Sequence, residues 1–252
     1  MVIAFTKRSG ETMTACMHRM RSYHNIASNE KVTYAGRLDP AASGVVLFLS
    51  GPDRYRKSEF LGFNKTYELD ILFGITTDTL DLLGVRNKTE SVTSDNISLT
   101  TIKELTSTIL GERNQAYPDF SARRVEGKPI WQHTLYGNKK TVMHRSHIYS
   151  FVVQSLSSIT ASELQQRVST LCTDLSDSDF RQSEIVQSWS DISDYSDYTV
   201  AHSIVSCSSG SYMRTLAQDI GLLYQMPTLA MRIHRVSIHT YTEDSVSNDL
   251  FD

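Results

Sequence analysis

Apolar residues recur at helical spacing in "ETMTACMHRMRSYHNI", where Met13, Met17, Met20 and Tyr23 share one stripe after Gly10. This pattern predicts a helix that packs its methionines into a core. The next strong pattern is of another kind: Val45, Val46, Leu47, Phe48 and Leu49 are consecutive, closed by Ser50, Gly51 and Pro52, as in a buried strand. "KTYELDILFGITTDTLDLLG" alternates through Tyr67, Leu69, Ile71 and Phe73 before Thr and Asp take over, giving a strand and then a loop. Helical spacing returns in "SLTTIKELTSTILGE" with Ile102, Leu105, Ile109 and Leu110 on one face and Gly111 as the stop. Pro118, Gly127 and Pro129 break residues 117–131 into an exposed loop carrying Arg123, Arg124 and Lys128. A strand at "HIYSFVVQSL" precedes two short helices around "SELQQRVSTL" and "FRQSEIVQSW". "YTVAHSIVSC" is a strand that passes through a Ser/Gly turn into an amphipathic helix from about Tyr212 to Tyr224, and "RIHRVSIHTY" is the last strand. With no internal repeat and no linker, residues 1–252 read as one α+β domain.

Composition changes this picture in two places. The 252 residues, 40% of them hydrophobic, suffice for a sizeable core, and a formal charge of −3 argues against a generally basic nucleic-acid binder. That charge is uneven: residues 160–200 carry −6 and the rest +3, so an acidic, Ser-rich insert is expected at about 160–200 and any basic face must be local. Cys16, Cys172 and Cys207 form no CxxC pair, which suggests neither a disulfide framework nor a zinc site. The first residues, "MVIAFTKRSG", lack the apolar stretch of a signal peptide, and no window is long and apolar enough to cross a bilayer, so a cytoplasmic protein without a membrane partner is expected. Neither HExxH nor a phosphate-loop or dinucleotide glycine pattern occurs, so no metal and no cofactor is expected.

The candidate chemistry begins at "YAGRLDPAASGVVLFLSG". Asp39 followed by Pro40 suits a helix start, but the buried strand that follows places the acid on a turn entering that strand. A carboxylate hydrolase pairing Asp39 with Asp78 or Asp81 is one chemistry such an acid allows.

"GRLDPAASGVVLFLSG", "KTYELDILFGITTDTLDLLG", "FSARRVEGKPIW" and "CSSGSYMRTLAQDIG", in that order, resemble the signature blocks of the TruB family of tRNA pseudouridine synthases. The resemblance implies the pseudouridine synthase fold, a mixed and largely antiparallel central sheet flanked by helices with a catalytic cleft. It implies an RNA partner, the T-arm of tRNA with uridine 55 as target, and a monomeric enzyme that needs no cofactor. Modification of a different RNA uridine and a noncatalytic tRNA-binding or tRNA-folding role are the alternatives.

By the same resemblance, Asp39 is the catalytic acid, acting as a nucleophile at C1′ or C6 or as a base at C2′. Arg214 pairs with it, which would keep the carboxylate charged in a desolvated pocket. Tyr67 stacks on the flipped base and takes the C5 proton, Tyr212 is a second pocket tyrosine, and Ile233 closes the pocket. Taken singly, each has a plain alternative: a solvated arginine in a first helical turn, packing tyrosines, a core isoleucine. Lys65 and the basic loop residues Arg123, Arg124 and Lys128 are expected on RNA.

The departures from the family pattern fall mostly on RNA contacts. Tyr34 stands where a histidine is common before the aspartate. "GPDRY" replaces a "GEATK"-like segment, so Arg54 or Arg56 would supply its phosphate contact, and "TKRSG" replaces a "DKPKG"-like opening. The sequence after "SIHTYTEDSV" is too short for a C-terminal PUA-type RNA-binding domain.

Overall fold

The consecutive apolar run around Leu47 forms a strand next to one edge of a nine-stranded sheet, and all five of its residues are completely buried. The computed structural model describes residues 1–87, 97–175, 179–192 and 197–242, so parts of the acidic stretch, 176–178 and 193–196, lie outside the described residues. In chain order the elements begin with β1 (Val2–Lys7), α1 (Met13–Tyr23), β2 (Val32–Ala35) and β3 (Ser43–Ser50). A 3-10 turn (Gly51–Arg56), α2 (Lys57–Leu61), β4 (Lys65–Phe73), α3 (Leu99–Thr108) and β5 (Gly111–Ala116) follow. Next come β6 (Arg124–Val125), β7 (Lys128–Pro129), α4 (Ile130–Leu135), β8 (Met143–Ile159), α5 (Ala161–Asp174) and α6 (Gln182–Trp189). The chain continues through β9 (Tyr198–Cys207), α7 (Met213–Tyr224), β10 (Thr228–Ile238) and β11 (Tyr241–Thr242).

The sheet runs β1-β3-β10-β4-β9-β8-β5, with β2 on β3 and β11 on β10. Its pairs are antiparallel except β3 with β10, where His234 faces Ser43 and Arg235 faces Gly44. One edge of β3 is therefore shared: β2 takes residues 47–50, and β10 takes its start. The connection from β2 to β3 emerges at the fork between those two neighbours. That connection carries Asp39.

Period-two alternation divides the sheet into two faces. Tyr67, Leu69, Ile71 and Phe73 join Met13, Cys16, Met20, Leu216 and Ile220 in the main core, which α1 and α7 cover. On the other face, Leu72, Val200 and Leu229 pack with Leu164, Val168, Ile185 and Trp189 of α5 and α6. The acidic stretch is thus part of a second core. Its apolar positions face the sheet, and Trp189 Nε1 donates to the Gly84 carbonyl at 3.0 Å, tying α6 to the loop after β4.

Two expected elements differ. The helix near residue 100 ends at Thr108, not at Gly111, which instead begins β5 with φ +88. Leu110 consequently leaves the apolar face and is 44% exposed. β5, "GERNQA", is an edge strand with only Gln115 buried, so it carries no apolar alternation to betray it. The basic loop is also more ordered than its breakers suggest: β6 and β7 make a tight hairpin around Glu126 and Gly127, both at positive φ, that leads into α4. Arg123, Arg124 and Lys128 are nevertheless exposed.

Candidate active site

The turn at Asp39 is built from below. Ala42 N–H donates to the Asp39 carbonyl at 3.0 Å, closing a turn with Pro40 in its second position, where a fixed φ is an advantage. Lys7, at the end of β1, is fully buried and donates to the carbonyls of Arg8 (2.9 Å), Pro40 (3.1 Å) and Ala42 (2.7 Å). Gly10 N–H also reaches Pro40 O, at 3.0 Å, and the Ser9 hydroxyl reaches Ala41 O at 2.9 Å. Burial brings the Lys7 amine down to about 8, against the opposing pull of Glu11 and Asp39.

Arg235 fills the fork between β2 and β10. It is 1% exposed and donates to Val45 O at 2.6 Å and to Gly36 O at 2.8 Å. A Cβ at Gly44, where φ is +108, would lie 2.2 Å from the Arg235 carbonyl, so only glycine lets β3 approach β10 there.

Arg214 sits in the first turn of α7 yet is only 3% exposed. Its Nη2 lies 2.7 Å from Asp39 Oδ2, and its Nη1 donates to Thr79 O at 2.7 Å. Nε has no hydrogen-bond partner and points towards Asp81 Oδ2 at 3.7 Å. Asp81 is itself fixed by the Thr79 hydroxyl at 2.7 Å and Leu83 N–H at 3.0 Å. Burial opposes the Arg214 charge, but Asp39 and Asp81 outweigh it and hold the guanidinium above its ordinary value. Burial likewise raises Asp81 above the usual carboxylate range, with Arg214 pulling the other way. One guanidinium bridges the two acids, and both also line a second cavity. Asp78 is occupied elsewhere, by Arg181 Nη1 at 2.7 Å and Val85 N–H at 2.8 Å. The hydrolase pairing of Asp39 with either residue is therefore set aside.

Around this pair opens a cavity of about 400 Å³, lined by Asp39, Lys65, Tyr67, Tyr212, Arg214 and Ile233, and by Arg123. Burial pushes the Tyr67 phenol above its ordinary value, so at neutral pH it is a neutral ring and not a phenolate base. The Tyr212 backbone is clamped by the Gln115 amide, N–H to Oε1 at 2.9 Å and Nε2 to O at 3.0 Å, while its phenol shares a hydrogen bond with Ser121 at 3.1 Å. Tyr117 stands edge-on to Tyr212 at 5.4 Å and stacks on His144 at 4.2 Å, with Arg123 over its ring at 5.6 Å. A second cavity, of about 600 Å³, shares Asp39, Arg37 and Arg214 and extends to Trp131, Phe180 and Arg181.

Other expected RNA contacts fall differently. The Lys65 amine is buried, donates to the carbonyls of Leu61 (3.1 Å) and Phe63, and is brought down to about 8 by burial and then by Arg235. It ties α2 to β4 while lining the cavity at Asp39. Arg54 and Arg56 line neither cavity at Asp39. Arg56 is committed to Glu59 at 2.7 Å and Asp53 at 3.2 Å, and Arg54 lies over the exposed Tyr55 ring at 4.6 Å. Arg124 Nη1 donates to Gly127 O at 3.0 Å within its hairpin, and Lys128 is on the same hairpin. Tyr34 stands edge-on to Phe48 at 6.4 Å, with Lys57 over its ring at 5.4 Å. Among the described residues, no group of three or more His, Cys, Asp or Glu side chains is placed to hold a metal, and no helix is long and apolar enough to cross a membrane.

Residues 24–173 match the family model described as TruB family pseudouridylate synthase, N-terminal domain. The chain belongs to the TruB family. It is 28% identical over 254 residues to a tRNA pseudouridine synthase B of Treponema denticola, covering 99% of this chain and 63% of that relative. It is 26% identical over 236 residues to one from Chlamydia pneumoniae, covering 92% of this chain and 82% of the relative. The fold is similar to a crystal structure of a Cbf5-Nop10-Gar1 complex, with TM-score 0.59 and 16% identity over 97% of this chain and 50% of that one. It is also similar to an H/ACA RNP bound to a substrate RNA containing 2′-deoxyuridine, with TM-score 0.56 and 15% identity over 97% of this chain and 49% of that one. These likenesses establish the pseudouridine synthase fold. The chain spans less than two thirds of the Treponema relative and about half of the solved chains.

Within this TruB-family chain, Lys7, Arg37 and Arg235 join the site beyond the residues expected from the sequence, and Asp81 joins it as a neighbour of Arg214. Arg37 was legible, since it lies inside "GRLDP", is exposed and lines both cavities. Lys7 and Arg235 gave no signal: a buried cation in a strand looks like a surface one until the carbonyls around it are seen.

Proposed function

We propose that this chain is a tRNA pseudouridine synthase that isomerises uridine 55 in the T-arm, with Asp39 as the group that begins cleavage of the glycosidic bond. What carries the reading is the Asp39–Arg214 pair at 2.7 Å in a cavity that also presents Tyr67 and Tyr212. The nucleobase leaves its stack and enters beside Tyr67, where a neutral aromatic ring replaces the lost base neighbours. Arg214 holds Asp39 in place while the sugar carbon is attacked or its proton removed, and the detached uracil turns within the aromatic walls. Family membership and the relatives named tRNA pseudouridine synthase B support the activity.

The direct test incubates the protein with a T-arm stem-loop and with whole tRNA, then maps pseudouridine by chemical modification. Product at position 55 supports the reading. Product elsewhere moves the target to another uridine. Tight binding without product makes the chain a tRNA-binding module.

A further inference from the structure

The sheet face opposite the Asp39 cleft carries a second ordered constellation. Ser157 Oγ on β8 is 2.7 Å from His202 Nε2 on β9, and His202 Nδ1 is 2.9 Å from Asp70 Oδ1 on β4. Asp70 alternates with Leu69 and Ile71, which point into the main core, so the constellation lies on the other side of the sheet. The order of contacts is functional in kind: a hydroxyl on one ring nitrogen, a carboxylate on the other. With Asp70 accepting from Nδ1–H, Nε2 is left as an acceptor for the serine proton. Asp70 is buried and His202 half-buried, while Ser157 is exposed. All three stand on adjacent hydrogen-bonded strands, which hold them more firmly than loops would. Neither cavity at Asp39 includes any of them, so the uridine chemistry leaves them unused.

We propose that Ser157 is a covalent modification site that accepts an acyl group from activated acyl donors. His202 takes the hydroxyl proton as Oγ bonds to the acyl carbon. The bond from that carbon to the leaving group breaks, and the proton passes from His202 to the departing group. The products are acyl-serine and the protonated leaving group, with no oxidant or reductant involved. Ser157 is exposed on the sheet face and lies outside both cavities at Asp39, so the donor must bring its own activation, as an aryl ester, thioester or acyl phosphate does. Amides and alkyl esters, which need an oxyanion hole, are excluded by the same reasoning.

The full chain is treated with p-nitrophenyl acetate, and acetylation is located by peptide mass spectrometry. The expected result is faster acetylation of Ser157 than of Ser155 and Ser158, which are exposed on the same strand. His202→Gln should slow labelling of Ser157 by about 100-fold and Asp70→Asn by about tenfold or more, against an unchanged rate at Ser158. Acetyl phosphate as a second donor should label the same residue and tests whether activation of the acyl group, not the aryl ring, is what matters. Equal labelling of the three serines, or a Ser157 rate unaltered in His202→Gln, overturns the proposal. The comparison among serines uses only the wild-type chain, so it decides even if a variant fails to fold.

Discussion

Arg214 Nη2 meets Asp39 Oδ2 at 2.7 Å while the same guanidinium faces the fully buried Asp81. Removing Arg214 therefore does two things. Asp39 loses its partner, and Asp81 is left buried without a neutralising charge. Arg214→Gln should abolish detectable turnover and also destabilise the fold by about 3 kcal/mol. Adding Asp81→Asn should restore most of that stability, measured by urea unfolding, without restoring pseudouridine formation. Recovery of activity in the double variant would show that Arg214 matters only for folding.

Arg181 offers a subtler case. It lies between the Asp78 carboxylate at 2.7 Å and the Phe120 ring at 4.7 Å, and it stands at the left-handed φ of +64. Asp78 begins the segment whose Thr79 carbonyl holds Arg214. Arg181→Gln should lower kcat by about tenfold while T-arm affinity stays within about threefold, because the loop that positions Arg214 loosens. A change in affinity alone would assign Arg181 to RNA contact instead.

The hairpin of β6 and β7 carries Arg124 and Lys128, and Arg123 precedes it. If each of the three meets one phosphate, the charge-reversing variant Arg123→Glu, Arg124→Glu, Lys128→Glu should flatten the salt dependence of RNA binding by about 0.7 to 0.9 log units per contact. Arg56→Ala serves as the comparison, since that arginine is already paired with Glu59 and Asp53. Its slope should match wild type.

Lys65 makes the stability depend on pH in a definite direction. Its amine titrates at about 8 in the folded chain and near 10.5 when unfolded. Between those values the unfolded state binds the extra proton, so this group makes stability rise with pH, by about 1.4 kcal/mol per pH unit at most. Below about pH 8 its buried charge is a constant cost. Urea midpoints of Lys65→Met against wild type from pH 8 to 10 should show the variant's stability rising less or falling more. Parallel curves would mean that Lys65 titrates normally.

The sequence made the scaffold of this site legible because its strands are buried on one or both faces and its helices are amphipathic. Val45 to Leu49, Tyr67 to Phe73 and the helix of Arg214 all form where their spacing predicts. β5 was invisible because an edge strand with one buried residue needs no apolar pattern, and the hairpin at Gly127 was hidden by the same breakers that permit it. For the site, order along the chain and resemblance brought Asp39, Tyr67, Tyr212 and Arg214 to one cavity. The supports of that cavity were not legible. Lys7 and Arg235 hold the Asp39 turn through backbone carbonyls, and Lys65 is withdrawn from the surface in the same way, which depends on tertiary proximity rather than local pattern.

Asp39→Asn tests whether Asp39 performs the chemistry, because the amide keeps the shape of the carboxylate but cannot act as the nucleophile or base. T-arm RNA incubated with the variant should yield no pseudouridine at position 55, while its affinity stays within about tenfold of wild type because phosphate contacts dominate binding. Pseudouridine formed by Asp39→Asn at a rate near wild type would mean that another group performs the chemistry.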